Sequence, residues 1–189
     1  MKKSMLGLAL AGVLGLIVAG GAALEAVGKW QAHRGHPPMG KLVDVGGRRI
    51  QIDCRGQGSP TVVFESGLDM MGSLSWSAVH DDIAASTRAC AYSRAGILWS
   101  DPAEGPRDAR AVADDLHAAL KQAGEQGPLV LVGHSLGGPY AMVYTQAYGD
   151  EVAGLVLVDA THPDQIARLA ATGADLMRQL QQQIGRAHV

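Results

Sequence analysis

The 189-residue sequence contains no asparagine, a single phenylalanine, two cysteines and no large excess of either charge. A formal net charge of -2 provides no long-range field to gather nucleic acid or acidic substrates, so no nucleic-acid partner is expected. Cys54 and Cys90 lack the partner spacing of metal ligands, and no His-rich or carboxylate cluster stands elsewhere, so neither a metal nor a cofactor is expected. Internal repeats and low-complexity tracts are absent. Missing asparagine, Arg in excess of Lys, and abundant Ala and Gly together read as the composition of a chain from a GC-rich bacterial genome. Hydrophobic residues make up 47% of the chain, enough for one compact catalytic domain.

What is present begins with an apolar run. Met5 to Leu24 is uncharged over twenty residues, follows Lys2 and Lys3, and precedes Glu25 and Lys29. That length suits a bilayer-spanning helix, and the basic start with small residues around Gly20 to Ala23 also suits a signal peptide. Residues 1–28 are therefore expected to be a membrane anchor, or else a cleaved signal, with the lysines inside and the rest exported. A buried core helix is the third option, disfavoured by the many glycines. No cysteine follows the run, which excludes lipid attachment there. Residues 29–40, with His33, His36, Pro37 and Pro38, read as a linker.

From residue 41 the pattern changes to strands and helices. Leu42 to Val45 and Arg49 to Cys54 alternate in polarity around Gly46-Gly47, which predicts a hairpin. Thr61 to Glu65 is a more continuous strand, and Trp76, Val79 and Ile83 have the spacing of a short helix with one packed face. Ala89 to Tyr92 predicts another strand. Ala109, Val112, Leu116 and Leu120 predict a helix closed by Gly124. Leu129 to Val132 and Leu155 to Val158 are apolar, as central parallel strands covered on both faces are, with a crossover helix over 135–148 between them. A hairpin followed by strand-helix alternation predicts a mostly parallel α/β sheet with helices on both faces.

One motif carries chemistry. Gly133-His134-Ser135-Leu136-Gly137 satisfies G-x-S-x-G, a pattern that arises by chance at roughly one position in three thousand from average residue usage. Its setting sharpens it, because an apolar strand runs into it and a helix with Gly137 and Gly138 in its first turn follows. Such a turn lifts the Ser135 hydroxyl clear of the sheet at a helix N-terminus, where main-chain N-H groups can face a developing oxyanion.

On these residues, together with Gly58 to Gly67, Arg88 to Tyr92 and Leu155 to Asp159, the chain resembles the α/β-hydrolase superfamily. Within it the exported or membrane-anchored bacterial serine hydrolases are most similar. The resemblance covers about residues 41–164 and implies a cofactor-free esterase or lipase type of enzyme acting on a small-molecule ester or acyl substrate. It implies Ser135 as nucleophile and the N-H groups of Leu136 and Leu68 as the oxyanion hole, the latter because Glu65-Ser66-Gly67-Leu68 stands where relatives carry a His-Gly pair. Gly67 has the alternative reading of a strand-ending glycine.

Tyr92 to Leu98 departs from the family pattern, which has Asp before the Arg and a second Gly two residues after the first; Arg94 reads as a side chain tying loops together. In the family's strand order the segments bearing Cys54 and Cys90 are neighbours, so a disulfide and two buried thiols are both open.

The family's acid and histidine follow the nucleophile in the order Ser, Asp or Glu, His. Here only the sixth strand is expected downstream, so residues 41–163 would be a partial α/β-hydrolase core with its last strands missing. Asp159, His162 and Asp164 read as loop residues rather than acid and base, and His134 should point away from the reacting centre. Residues 164–183 would begin a cap or crossover helix. Ile184 to Val189 resembles the translation of a sequencing adapter, which would remove His188 from consideration. The expectation is an acyl-enzyme-forming serine hydrolase that is inactive as this chain. The alternative is a catalytically silent membrane-anchored α/β-hydrolase-like binding module or gene fragment. The sixth strand should form an apolar edge and lower solubility.

Overall fold

The computed structural model describes residues 2–171, with side chains at all of these except 2–11, 29, 32, 33, 166, 169 and 171. The chain divides into two units after Pro38. The expected segments beyond residue 171, including His188, lie outside the described residues.

The first unit is one helix, α1 (Lys2–Gly35). It runs through half of the expected linker, because Glu25 to Arg34 contains few helix breakers and Arg34 lies over the ring of Trp30 one turn earlier, 4.1 Å from its centroid. The chain stops being helical only near Pro37-Pro38, whose rings and missing N-H groups cannot continue it. The expected membrane span is not supported. Among the described residues no helix is long and apolar enough to cross a membrane.

The second unit is a six-stranded sheet built from β1 (Lys41–Asp44), β2 (Arg49–Arg55), β3 (Thr61–Glu65), β4 (Ala89–Ser93), β5 (Leu129–His134) and β6 (Val152–Val158). Their spatial order is β1-β2-β4-β3-β5-β6. β1, β2 and β4 pair antiparallel, whereas β4, β3, β5 and β6 run parallel. The hairpin forms where two glycines adopt positive φ, Gly46 at 100° and Gly47 at 86°. Asp44 Oδ1 accepts both of their N-H groups, at 2.8 and 2.9 Å, so the side chain completes the turn.

Alternation along the strands divides the interior in two. Val63, Cys90, Tyr92, Leu129 and Leu131 face one side, where α3 (Ala109–Ala123) and α4 (Gly137–Ala147) cover them with Leu116, Leu120, Ala141 and Tyr144. Phe64, Ala89 and Ala91 face the other side and meet Trp76. α3 is well bounded: Asp108 Oδ1 accepts the Ala111 N-H at its start, and Gly124 at φ 83° closes it. Cys54 and Cys90 are direct partners across β2 and β4 and form a disulfide.

Three expectations need correction. The helix expected over Trp76, Val79 and Ile83 is instead a 3-10 turn, Gly72–Trp76, followed by α2 (His80–Ala84). Interrupting the helix changes its phase, so Trp76 and His80 are buried while Val79 and Ile83 are exposed. His80 is held by an Nε2-H bond to the Ala89 carbonyl at 3.0 Å. The crossover helix α4 begins two residues after Ser135, because Ser135 is itself outside helical conformation. Finally, β6 is not covered on both faces. It lies at the sheet edge with Val156, Leu157 and Val158 each more than 40% exposed, the apolar edge that the sequence predicts. α5 (Gln165–Ala171) follows it.

Candidate active site

Ser135 sits between the end of β5 and the start of α4, with φ at 52°. A non-glycine residue in this left-handed region costs about 1–2 kcal/mol, so its surroundings must enforce it. They do so through main-chain bonds: the Ser135 N-H donates to Val158 O at 3.2 Å, and the Ser135 carbonyl accepts from Gly138 N at 3.1 Å and Thr161 N at 2.9 Å. The flanking glycines leave no room for side chains. A Cβ at Gly133 would lie 2.6 Å from Gly137 O, one at Gly137 would lie 2.2 Å from Glu65 O, and one at Gly138 would lie 2.4 Å from the Ala160 Cβ. The motif spacing thus packs α4 onto the backbone of β3 and the loop after β6, with Ser135 on the sharp bend between strand and helix.

The loop after β3 meets this bend from the other side. A Cβ at Gly67 would approach Ser135 Cβ at 3.1 Å and His134 Nδ1 at 3.2 Å. Gly67 lacks a positive φ, so close approach to the serine, rather than a turn, is what calls for glycine there. The Leu68 side chain is 85% exposed, which leaves only its main chain to contribute to a site. Leu136 is the residue before α4, with helical φ and ψ. The His134 ring packs edge-on to Trp76, with ring centroids 6.4 Å apart.

Behind the loop lies a buried charged cluster. Glu65 is fully buried; its Oε1 accepts from Arg94 Nη1 at 2.6 Å and its Oε2 accepts the Tyr92 hydroxyl. Arg94 also donates to two main-chain carbonyls, Ser66 O from Nη1 at 2.6 Å and Gly67 O from Nη2. Its guanidinium carbon stands 5.2 Å from the Tyr140 ring centroid. Burial pushes the Glu65 carboxyl up to about 7, with Arg94 pulling it back. Burial and the Glu65 carboxylate together push the Tyr92 phenol far above its ordinary value.

Arg94 therefore ties loops together as the sequence suggests. What sequence reasoning missed is Glu65; the available signal was a carboxylate ending an otherwise apolar strand. Ser93 and Leu98, the departures from the family pattern, are both accommodated. Ser93 is buried and its hydroxyl donates to Gln51 Oε1 at 2.7 Å, whereas Leu98 takes φ 49°, a left-handed conformation that glycine adopts more readily.

The described histidines of this unit are engaged elsewhere or wrongly disposed for a base. His80 bonds Ala89 O, and His117 Nε2 lies 3.1 Å from Glu151 Oε1 while its ring stacks on Tyr148. His162 follows Thr161, whose N-H holds the Ser135 carbonyl, but His162 Nδ1 accepts the Asp164 N-H at 3.0 Å. That bond occupies Nδ1 and turns the ring toward Asp164. Asp159, at φ 44°, ends β6 beside the elbow. A cavity of about 680 Å³ exists but opens at the other end of the parallel strands, among His117, Lys121, Pro128 and Glu151, away from Ser135.

A parallel sheet whose strand runs through a left-handed serine into a helix is the architecture of α/β hydrolases, and the model of the alpha/beta hydrolase fold family matches residues 60–184. The chain belongs to that family. It is similar to the uncharacterized protein YbdG of Bacillus subtilis (strain 168), with 26% identity over 140 residues, 74% of this chain and 43% of that protein. Among solved structures it resembles an esterase from Rhodococcus sp. ECU1013, at 34% identity and a TM-score of 0.55, over 63% of this chain and 44% of that one. An esterase from Exiguobacterium antarcticum shares the fold, with a TM-score of 0.60 and 24% identity over 66% of this chain and 47% of that one. The chain thus spans less than half the length of each of these relatives.

Proposed function

We propose that this chain carries the nucleophile of a serine hydrolase of esterase or lipase type, acting on a small-molecule ester or acyl substrate. Ser135 Oγ attacks the carbonyl carbon and passes its proton to a base. The Leu68 and Leu136 N-H groups receive the negative charge on the former carbonyl oxygen; collapse expels the alcohol and leaves an acyl-serine that water hydrolyses. The observation that carries this reading is the left-handed Ser135 at the strand-helix bend with Gly67 packed against it.

His80, His117 and His162 are each bonded to partners other than Ser135, so slow turnover is expected from the described residues. That same observation favours the second reading, a silent binding module that keeps the fold without the chemistry. Treatment with a fluorophosphonate probe separates them. Slow labelling confined to Ser135 and lost in Ser135→Ala supports the hydrolase, and labelling no greater than in that variant supports the silent module. The Cys54–Cys90 disulfide suits an exported, oxidising location.

A further inference from the structure

We propose that Arg94 and Glu65 are positioning residues for the hydrolase reaction: Arg94, anchored by Glu65, grips the Gly67 carbonyl and so aims the Leu68 N-H of the oxyanion hole. The inference rests on the proposed function of Ser135.

Gly67 C=O and Leu68 N-H belong to one planar trans unit and point in opposite directions, so fixing one fixes the other. Without a partner on the carbonyl, rotation of this peptide would turn the N-H away from the serine. Arg94 Nη2 supplies that partner, and Nη1 holds the preceding carbonyl, Ser66 O, at 2.6 Å. Asp69 N also donates to Gly67 O, at 3.0 Å, so the carbonyl is held from two sides.

A guanidinium suits this task because its planar fork reaches several acceptors at once, whereas a lysine ammonium on a flexible stem does not hold two carbonyls and a carboxylate in one geometry. The fork is itself aimed. Glu65 Oε1 accepts from Nη1 at 2.6 Å, the Tyr92 hydroxyl fixes the other Glu65 oxygen, and Tyr140 lies across the guanidinium. Glu65 also belongs to the strand whose carbonyl packs against Gly137, so the cluster and the elbow share one rigid backbone. The carboxylate is buried where only hydrophobic residues are needed for packing, which its role as an anchor explains.

The test compares wild type with Arg94→Lys and Glu65→Gln in full-length chain. The saturating rate and the half-saturating concentration of Ser135 phosphonylation by a fluorophosphonate are measured, together with the Leu68 amide resonance and the hydrogen exchange of core amides. A ten- to hundred-fold loss of saturating rate is expected, less than the roughly hundred- to thousand-fold cost of removing an oxyanion donor, because the N-H is misaimed rather than lost. The half-saturating concentration should stay within about twofold, since the pair touches no part of the probe. The Leu68 amide resonance should shift, while core amides such as Leu131 stay protected from exchange.

A Leu68 amide and labelling rate unchanged in both variants would overturn the proposal. If Arg94→Lys fails to fold, Glu65→Gln supplies the same readouts. If wild type is not labelled at Ser135, the proposed function fails, and the amide measurements still decide by themselves whether Arg94 orients Leu68.

Discussion

Replacing Glu65 by glutamine is expected to remove a fall in stability that wild type shows between about pH 5 and about pH 7.5. The carboxyl is fully buried, and burial lifts it from 4.5 to about 7 in the folded chain, against the opposing pull of Arg94 and of the Tyr92 hydrogen bond. A carboxyl raised on folding binds its proton more tightly when folded, so its contribution is fullest in mild acid and declines as pH rises, levelling off above about 7. At roughly 1.4 kcal/mol per pH unit, the whole interval corresponds to about 3 kcal/mol, of which about 2 kcal/mol falls inside the measured window.

Groups shifted the other way act elsewhere. Asp44 is held down by the Gly47 and Gly46 N-H groups, Asp101 by Arg49 and Asp114 by the Tyr148 hydroxyl, so their contributions are complete above the ordinary carboxylate range and are lost only in stronger acid. Urea denaturation of wild type and Glu65→Gln at several pH values isolates the difference. Wild type should lose stability relative to the variant as pH rises. Parallel curves across the window would refute the reasoning, because they would mean that burial does not outweigh the Arg94 pairing.

Two further outcomes follow from the geometry. Gly67→Ala places a methyl 3.1 Å from the Ser135 Cβ, so phosphonylation of Ser135 should slow about tenfold or more while unfolding free energy changes by about 1 kcal/mol or less, read by probe kinetics and urea titration. Opening the Cys54–Cys90 disulfide, by reduction or by paired Cys→Ser substitution, frees a closure spanning 36 residues and should cost about 4 kcal/mol in the chain-entropy account, measured by denaturant midpoint. An unchanged midpoint would show that the denatured chain is constrained by other means.

The elbow was legible in sequence because sterics leave it so little freedom. Gly133, Gly137 and Gly138 are each pressed against a backbone or a Cβ, and that demand leaves a spacing that reads directly. The hairpin was legible for the same kind of reason, two glycines at positive φ after an aspartate that caps the turn. The apolar spacing over Trp76 to Ile83 misleads because it ignores His80, whose ring is buried edge-on to Phe64 with its nitrogen bonded to Ala89 O. The helical stretch beyond Lys29 was missed because prolines at 37 and 38 drew the boundary too early.

Glu65 was the largest omission. Its burial depends on Arg94 and Tyr92, which lie 29 and 27 residues away, and no local pattern reports partners at that distance. The roles proposed for Leu68 and Leu136 are main-chain roles, so their side chains announce nothing and only the family resemblance puts them forward. The placement of Gly67 against Ser135 supports the proposal for the neighbouring Leu68.

Mass-spectrometric mapping of fluorophosphonate adducts tests the central claim most directly. The left-handed, glycine-flanked Ser135 should be the modified residue, slowly but specifically, with no adduct in Ser135→Ala. Adducts spread over other serines, or none above the level of that variant, would contradict its assignment as the nucleophile.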